Sequence, residues 1–293
     1  MGVFNAVMSL SGMIDTDVIE QEKLARHTSY RIGGKADLFI TCPSYHSLRL
    51  ARERVPWVII GKGSNLLVAD EGYRGAVITL GSEFSRFVLG EDGRTITVGA
   101  GAILARLVNE ALSKELSGLE FAVGIPGTVG GAISMNAGSR TEWIGSLVCD
   151  VVTYKPGEGI RHYGRDDVTW GYRTCGLPRD EIVLEVTLEL AQGVKDEIRA
   201  RMERSLTRRR RTQPLGVPSC GSVFRNPPDR AVGALIEECG LKGFSQGGAE
   251  VSPVHANFIV NKGTASAADV AAVIRHVHKT VRERYGVELQ PEV

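Results

Sequence analysis

The 293-residue sequence is poor in the residues that would hold it together covalently or through a metal. Its five cysteines (Cys42, Cys149, Cys175, Cys220 and Cys239) are odd in number, scattered, and form no C-x-x-C pair. That pattern excludes a disulfide framework and a zinc ribbon. There is no H-E-x-x-H, and His255, His276 and His278 lack metal-ligand company, so no metal is expected. No apolar run approaches the roughly 20 residues needed to cross a bilayer. The opening MGVFNAVMSLSG has no basic n-region, and Ala6 stands where myristoylation needs Ser or Thr. A net charge of +1 leaves no cationic excess to bind nucleic acid. The P-loop pattern is absent too. These absences leave a cytoplasmic chain of two or three domains, with neither membrane nor nucleic acid as a partner.

Glycine, by contrast, is plentiful. The segment Gly118 to Gly138, GLEFAVGIPGTVGGAISMNAG, threads Leu119, Phe121, Val123, Ile125, Val129 and Ile133 between its glycines. Glycine among residues that require burial marks a backbone that turns tightly or is approached closely. Gly127, Thr128, Gly130 and Gly131 are suited to pointing backbone N–H groups at an anion such as a diphosphate. A second turn, Gly61-Lys62-Gly63-Ser64-Asn65-Leu66, lacks the third glycine of the Rossmann fingerprint, and Gly124 to Gly131 has the wrong spacing for it. Two separate glycine-rich turns fit a dinucleotide lying between two small subdomains.

The pattern is α+β in three parts. Residues 1–20 are weakly patterned and read as a loosely attached arm. Over 21–80, strands are expected at Ala36 to Thr41, Trp57 to Ile60, Leu66 to Val68 and Ala76 to Thr79, with a short helix at Ser44 to Arg54. Over 81–193, a strand at Arg94 to Val98 precedes a helical stripe of Ile103, Leu107, Val108, Ala111 and Leu112. Further strands follow at Leu147 to Tyr154 and Ile182 to Glu189. From 194 on, Val194, Ile198, Met202 and Leu206 predict a helix over Lys195 to Arg211, its acidic start and basic end matching the helix dipole. Arg208 to Arg211 read as a solvated helix end. Asp229 to Glu238 is an expected helix closed by Gly240. Strands are expected at Glu250 to Val251 and Asn257 to Val260. Ser266 with Asp269 is a capping box opening a last helix, with Val270, Val273, Ile274, Val277 and Val281 inward.

Six motifs occur in one order: GKGSNLLVADEGYRGAVI (Gly61 to Ile78), GIPGTVGGAISMNAG (Gly124 to Gly138), GYR (Gly171 to Arg173), SCGSVFRNP (Ser219 to Pro227), HANFIVN (His255 to Asn261) and LQPEV (Leu289 to Val293). From about Thr28 onward the chain resembles the UDP-N-acetylenolpyruvoylglucosamine reductase family, the MurB flavoenzymes of peptidoglycan synthesis, in its loop-lacking type II subgroup. The resemblance implies a two-subdomain FAD-binding unit of the vanillyl-alcohol-oxidase (PCMH) type at 21–80 and 81–193, and an α+β substrate-binding domain at 194–293. It implies NADPH as the source of hydride, FAD as its carrier, a UDP-sugar enolpyruvyl ether as substrate, and a monomeric cytoplasmic enzyme serving cell wall, cell shape and cell division.

Hydride addition to an enolpyruvyl double bond builds negative charge on the neighbouring carbon and its carboxylate. That charge requires a positioned cation or donor, and the carbon requires a proton. By resemblance Arg173 stabilises the enolate, Ser222 donates the proton, and Glu292 works with the arginine; Cys220 reads as a small packed residue. For FAD, the resemblance points to Gly61, Gly63, Ser64, Asn65, Leu66, Gly124, Pro126, Gly127, Thr128, Gly130, Gly131, Asn136 and Ala137, with backbone contacts from Ile182 to Leu184. Substrate-side residues are Tyr172, Arg211, Gln213 and Asn226, while His255 and Asn257 are either substrate-side or structural. Thr212-Gln213-Pro214 stands where the family commonly has Lys-Gln-Pro, so Arg211 or Arg210 would take the lysine's place. Two other readings stay open: an FAD enzyme of different substrate, and a nucleotide-binding module without activity.

Overall fold

Strand alternation and glycine turns build two compact units that interleave along the chain. The computed structural model describes residues 16–52 and 56–293. Among the described residues the first unit comprises 16–20, Asp37–Gly61 and Gly75–Thr207; the second comprises Gln21–Ala36, Lys62–Arg74 and Arg208–Val293.

In the first unit, β1 (Asp17–Glu20), β2 (Ala36–Cys42), β3 (Trp57–Ile59) and β4 (Tyr73–Leu80) form a sheet in the order β1-β2-β4-β3. Asp17 lies opposite Thr41 in an antiparallel pair, so 17–20 are an edge strand rather than a loose arm. The rest of that expected arm, 1–15, falls outside the described residues. Helix α1 (Tyr45–Arg52) follows β2. A second, antiparallel sheet contains β5 (Phe87–Leu89), β6 (Thr95–Gly99), β7 (Val148–Lys155), β8 (Gly159–Gly164) and β9 (Ile182–Glu189), in the order β5-β6-β9-β7-β8. Leu38, Ile40, Leu48 and Ile78 of the first sheet layer share a core with Tyr154, Ile182 and Leu184 of the second.

Helices α2 (Leu104–Ser113), α3 (Val129–Ser134) and the start of α4 (Lys195–Thr212) add Leu107, Val108, Val129, Ile133, Ile198 and Met202 to the core under the larger sheet. The stripe predicted for α4 is narrower than its sequence implied, because Val194 precedes the helix and is 59% exposed. Arg201 of α4 donates from Nη2 to Glu120 Oε1 at 2.8 Å, and Gly118 N donates to Glu120 Oε2 at 2.7 Å. One carboxylate thus ties the start of the glycine-rich segment to the helix.

The second unit packs α5 (Val232–Glu238) and α6 (Ala267–Tyr285) with a small antiparallel sheet, β10 (Ser245–Gln246), β11 (Ala249–Val251) and β12 (Ile259–Asn261). The capping box is present: Ser266 Oγ accepts from Asp269 N at 3.1 Å and Asp269 Oδ2 from Ser266 N at 3.0 Å. Three expectations change here. Leu66 to Val68 is not a strand; no ladder forms, and Leu67 packs on this unit's core. Helix α5 starts at Val232 rather than Asp229, where Asn226 Oδ1 accepts from Val232 N at 2.9 Å. The last strand begins at Ile259 rather than Asn257, because Asn257 is occupied elsewhere.

Candidate functional site: glycine turns, a strained arginine and a pinned acid

Both glycine turns have the backbone that glycine alone supplies cheaply. In the first unit, a Cβ on exposed Gly61 would stand 2.4 Å from Thr128 Oγ1, so the two turns abut there. Gly124 and Gly127 have φ of +76° and +133°. Thr128 caps α3 through its hydroxyl, which accepts from Gly131 N. The backbone amides are less available than their composition implied: Gly130 N donates to Ala100 O at 2.8 Å, and Gly131 N is the one taken by the Thr128 hydroxyl. Gly130 is instead required by packing, since its Cβ would lie 2.9 Å from Ala100 Cβ. Gly131 differs. It is exposed, and a Cβ there would meet only Thr128 Oγ1 at an ordinary 3.5 Å. A glycine that the protein's own packing does not demand, exposed as Gly61, Gly124 and Pro126 also are, fits a ligand lying flat against backbone.

Asn136 and Ala137 are buried structural residues. Asn136 (φ +43°) donates from Nδ2 to Gly171 O at 2.8 Å and accepts at Oδ1 from Gly145 N at 3.0 Å. Both amide ends therefore serve the fold. Ala137 spends N on Ala132 O and O on Ile144 N. Ile182 is buried in the core between the two sheets, and Leu184 O accepts from Ala100 N at 2.8 Å.

What Asn136 holds is the hairpin Trp170–Gly171/Thr174–Cys175, whose two turn residues are Tyr172 and Arg173. Arg173 is left-handed at φ +57°, a conformation costing a non-glycine residue about 1–2 kcal/mol. Its Nη1 donates to Gly138 O at 3.0 Å, and its guanidinium carbon lies 5.7 Å from the Tyr172 ring centre. The arginine is thus fastened to the last residue of the glycine-rich segment.

In the second unit, Gly63 (φ +58°) packs so tightly that a Cβ would come within 2.1 Å of His27 O. Ser29 N donates to Gly63 O, and Ser29 Oγ donates to Ser219 O at 2.6 Å. Ser64 and Leu66 are half-buried beside it. The Ser222 segment follows Gly221 (φ +86°) and runs against Asn257. Val223 N donates to Asn257 O, Phe224 N to Asn257 Oδ1 at 3.0 Å, and Asn257 Nδ2 to Phe224 O at 2.8 Å. Asn257, 3% exposed, is therefore a structural clamp. His255 belongs to the same clamp. Its Nδ1 accepts from Asn257 N, and burial holds its pKa below the ordinary 6.5, so it serves as a neutral acceptor. Cys220 is buried, with its thiol pushed up to about 12 by that burial. A thiol so reluctant to ionise is a packed residue. Gln213 follows α4 and accepts at Oε1 from Arg209 Nη1, while Arg211 is exposed.

Glu292 is not a frayed end. Its N donates to Val223 O at 2.7 Å, and Arg225 N donates to Gln290 O at 2.9 Å, so 290–292 run beside the Ser222 segment. Asn65 Nδ2 donates to Glu292 O at 2.9 Å. Sequence reasoning missed Ser29 and this use of Asn65, since no local pattern signals a partner 190 or 227 residues away. Among the described residues no group of three His, Cys, Asp or Glu could hold a metal ion, and no helix is long and apolar enough to cross a membrane.

Residues 46–155 match the FAD binding domain family. Phl p 4.0202, a glucose dehydrogenase, shares the fold at 15% identity with a TM-score of 0.51, over 65% of this chain and 44% of that one. The protein is an FAD-dependent oxidoreductase. Residues 213–293 match the UDP-N-acetylenolpyruvoylglucosamine reductase C-terminal domain. A reductase of that name from Heliobacterium modesticaldum is 46% identical over 282 residues, covering 94% of this chain and 89% of its own length. That of Bacillus subtilis is 42% identical, with 94% and 93% covered. The crystal structure of UDP-N-acetylenolpyruvylglucosamine reductase (MurB) from Thermus caldophilus aligns with a TM-score of 0.83 at 38% identity, over 94% of this chain and 97% of that one. The chain belongs to this reductase family.

Proposed function

We propose that the protein reduces the enolpyruvyl ether of UDP-N-acetylglucosamine to UDP-N-acetylmuramate with NADPH, supplying a precursor of peptidoglycan as a cytoplasmic monomer. Within this reading 21–80 and 81–193 bind the flavin and 194–293 bind substrate. FAD, when bound, would supply the hydride-carrying chemistry between the nicotinamide and the enolpyruvyl group. Gly61, Gly63, Ser64, Leu66, Gly124, Pro126, Gly127 and Gly131 supply the backbone against which the cofactor lies. Ser222 hands its hydroxyl proton to the carbon beside the carboxylate. Arg173 offsets the charge that develops there, and Glu292 orients the reacting group with it. Tyr172, Arg211, Gln213 and Asn226 face the sugar nucleotide.

The observation that carries this reading is the bond from Glu292 N to Val223 O, one residue from Ser222. It joins the proton donor and the acid in one backbone frame. A hydroxyl is a weak acid, useful only when held against a strongly basic carbon, so the frame must be rigid. The test is the pair of half-reactions in Ser222→Ala. Flavin reduction by NADPH should match the parent, and reoxidation by the UDP-sugar should slow about 100- to 10,000-fold. Normal reoxidation would remove Ser222 from the mechanism.

A further inference from the structure

We propose that Asn65 is a positioning residue for Glu292, so that the Lys62–Asn65 turn sets the orientation of the acid as well as serving the cofactor. The inference rests on the role given to Glu292 above. The backbone of Glu292 is gripped on both sides of its Cα. Its N–H is bonded to Val223 O at 2.7 Å, and its carbonyl accepts from Asn65 Nδ2 at 2.9 Å. Upstream, Gln290 O is taken by Arg225 N and Leu289 is 3% exposed, so the strand is seated before it reaches the acid. With the peptide groups on either side of the Glu292 Cα both fixed, the direction in which that Cα presents its side chain is fixed too.

The turn that supplies Asn65 is itself unable to give way. Gly63 is left-handed and lies so close to His27 O that no side chain fits. Ser29 N binds Gly63 O at 3.1 Å, and the same serine's Oγ binds Ser219 O at 2.6 Å. One turn therefore holds both catalytic segments, the serine's through Ser29 and the acid's through Asn65. A side chain that fixes an acid's backbone acts on the step that uses the acid. A residue serving the flavin alone acts on flavin content.

The test compares anaerobic reoxidation of the reduced holoenzyme by the enolpyruvyl UDP-sugar, per bound flavin, in parent, Asn65→Ala, Glu292→Gln and the double variant. Each single change should slow reoxidation at least about tenfold, and the double variant should stay within about twofold of Glu292→Gln. Parent-like reoxidation per flavin in Asn65→Ala, or effects that multiply in the double variant, would overturn the proposal. Parent-like reoxidation in Glu292→Gln would instead sink the reading beneath it. If Asn65→Ala retains too little flavin, Asn65→Asp keeps the shape but sets an acceptor against the Glu292 carbonyl, and should be slowed at least as much. Hydrogen exchange of the peptide spanning Glu292 should quicken in either variant; unchanged exchange contradicts the proposal.

Discussion

Three asparagines with motif-like neighbours turn out to do architectural work. Asn136 holds the Arg173 hairpin, Asn257 holds the Ser222 segment, and Asn65 holds Glu292. Removing a buried clamp strands the backbone groups it satisfied, at about 1–3 kcal/mol for each buried group left unpaired. Asn257→Ala is accordingly expected to lower stability by about that amount or more in urea titration; an unchanged midpoint would show that the clamp is dispensable. Of these roles only that of Asn257, as one of two readings, was open in the sequence. Asn65 and Asn136, each two residues from a glycine, look like turn caps, and partners 33 to 227 residues away lie outside any local window. The roles proposed for the serine, arginine and acid rest on motif order. Each alone is an unremarkable surface residue type.

Elements were more readable than contacts. Short apolar runs foretold β2, β7 and β9, and the Ser266/Asp269 spacing foretold the start of α6. Leu66 to Val68 misled because three apolar residues in an extended segment look like a strand whether or not a ladder forms; this one packs on a core instead. The Leu289–Val293 element carries a sharp prediction. Truncation after Gln290 removes the Glu292 bond to Val223 but neither glycine turn. Flavin content should stay at the parent level and turnover should fall to background. An active truncate would refute the assignment of Glu292. Gly63→Ala tests the turn. A Cβ facing a backbone oxygen at 2.1 Å must displace the chain, so both flavin content and thermal midpoint should drop, and a fully flavinated variant would show that the turn adapts.

At the scale of the molecule, each unit has its own core; Arg173 and the exposed Gly61, Gly124 and Gly131 belong to the first, and Ser222 and Glu292 to the second. The first is pH-sensitive through Glu120. Burial pushes that carboxyl up, but Arg201, the Gly118 amide and Ser117 outweigh it and leave the pKa below 4.5. A carboxylate lowered on folding stabilises above its unfolded value, and that contribution is lost as pH falls through the folded value. Glu120→Gln should therefore be less stable than the parent at pH 7, with the difference shrinking below about pH 4.5; a constant difference would contradict the linkage. The account as a whole rests on two half-reactions, and one experiment reads both: the visible spectrum of the purified protein under anaerobic conditions. Flavin bands that bleach with NADPH and return on adding the enolpyruvyl UDP-sugar are the predicted result. Bands that bleach and stay bleached, or a protein that takes up no FAD, would contradict it.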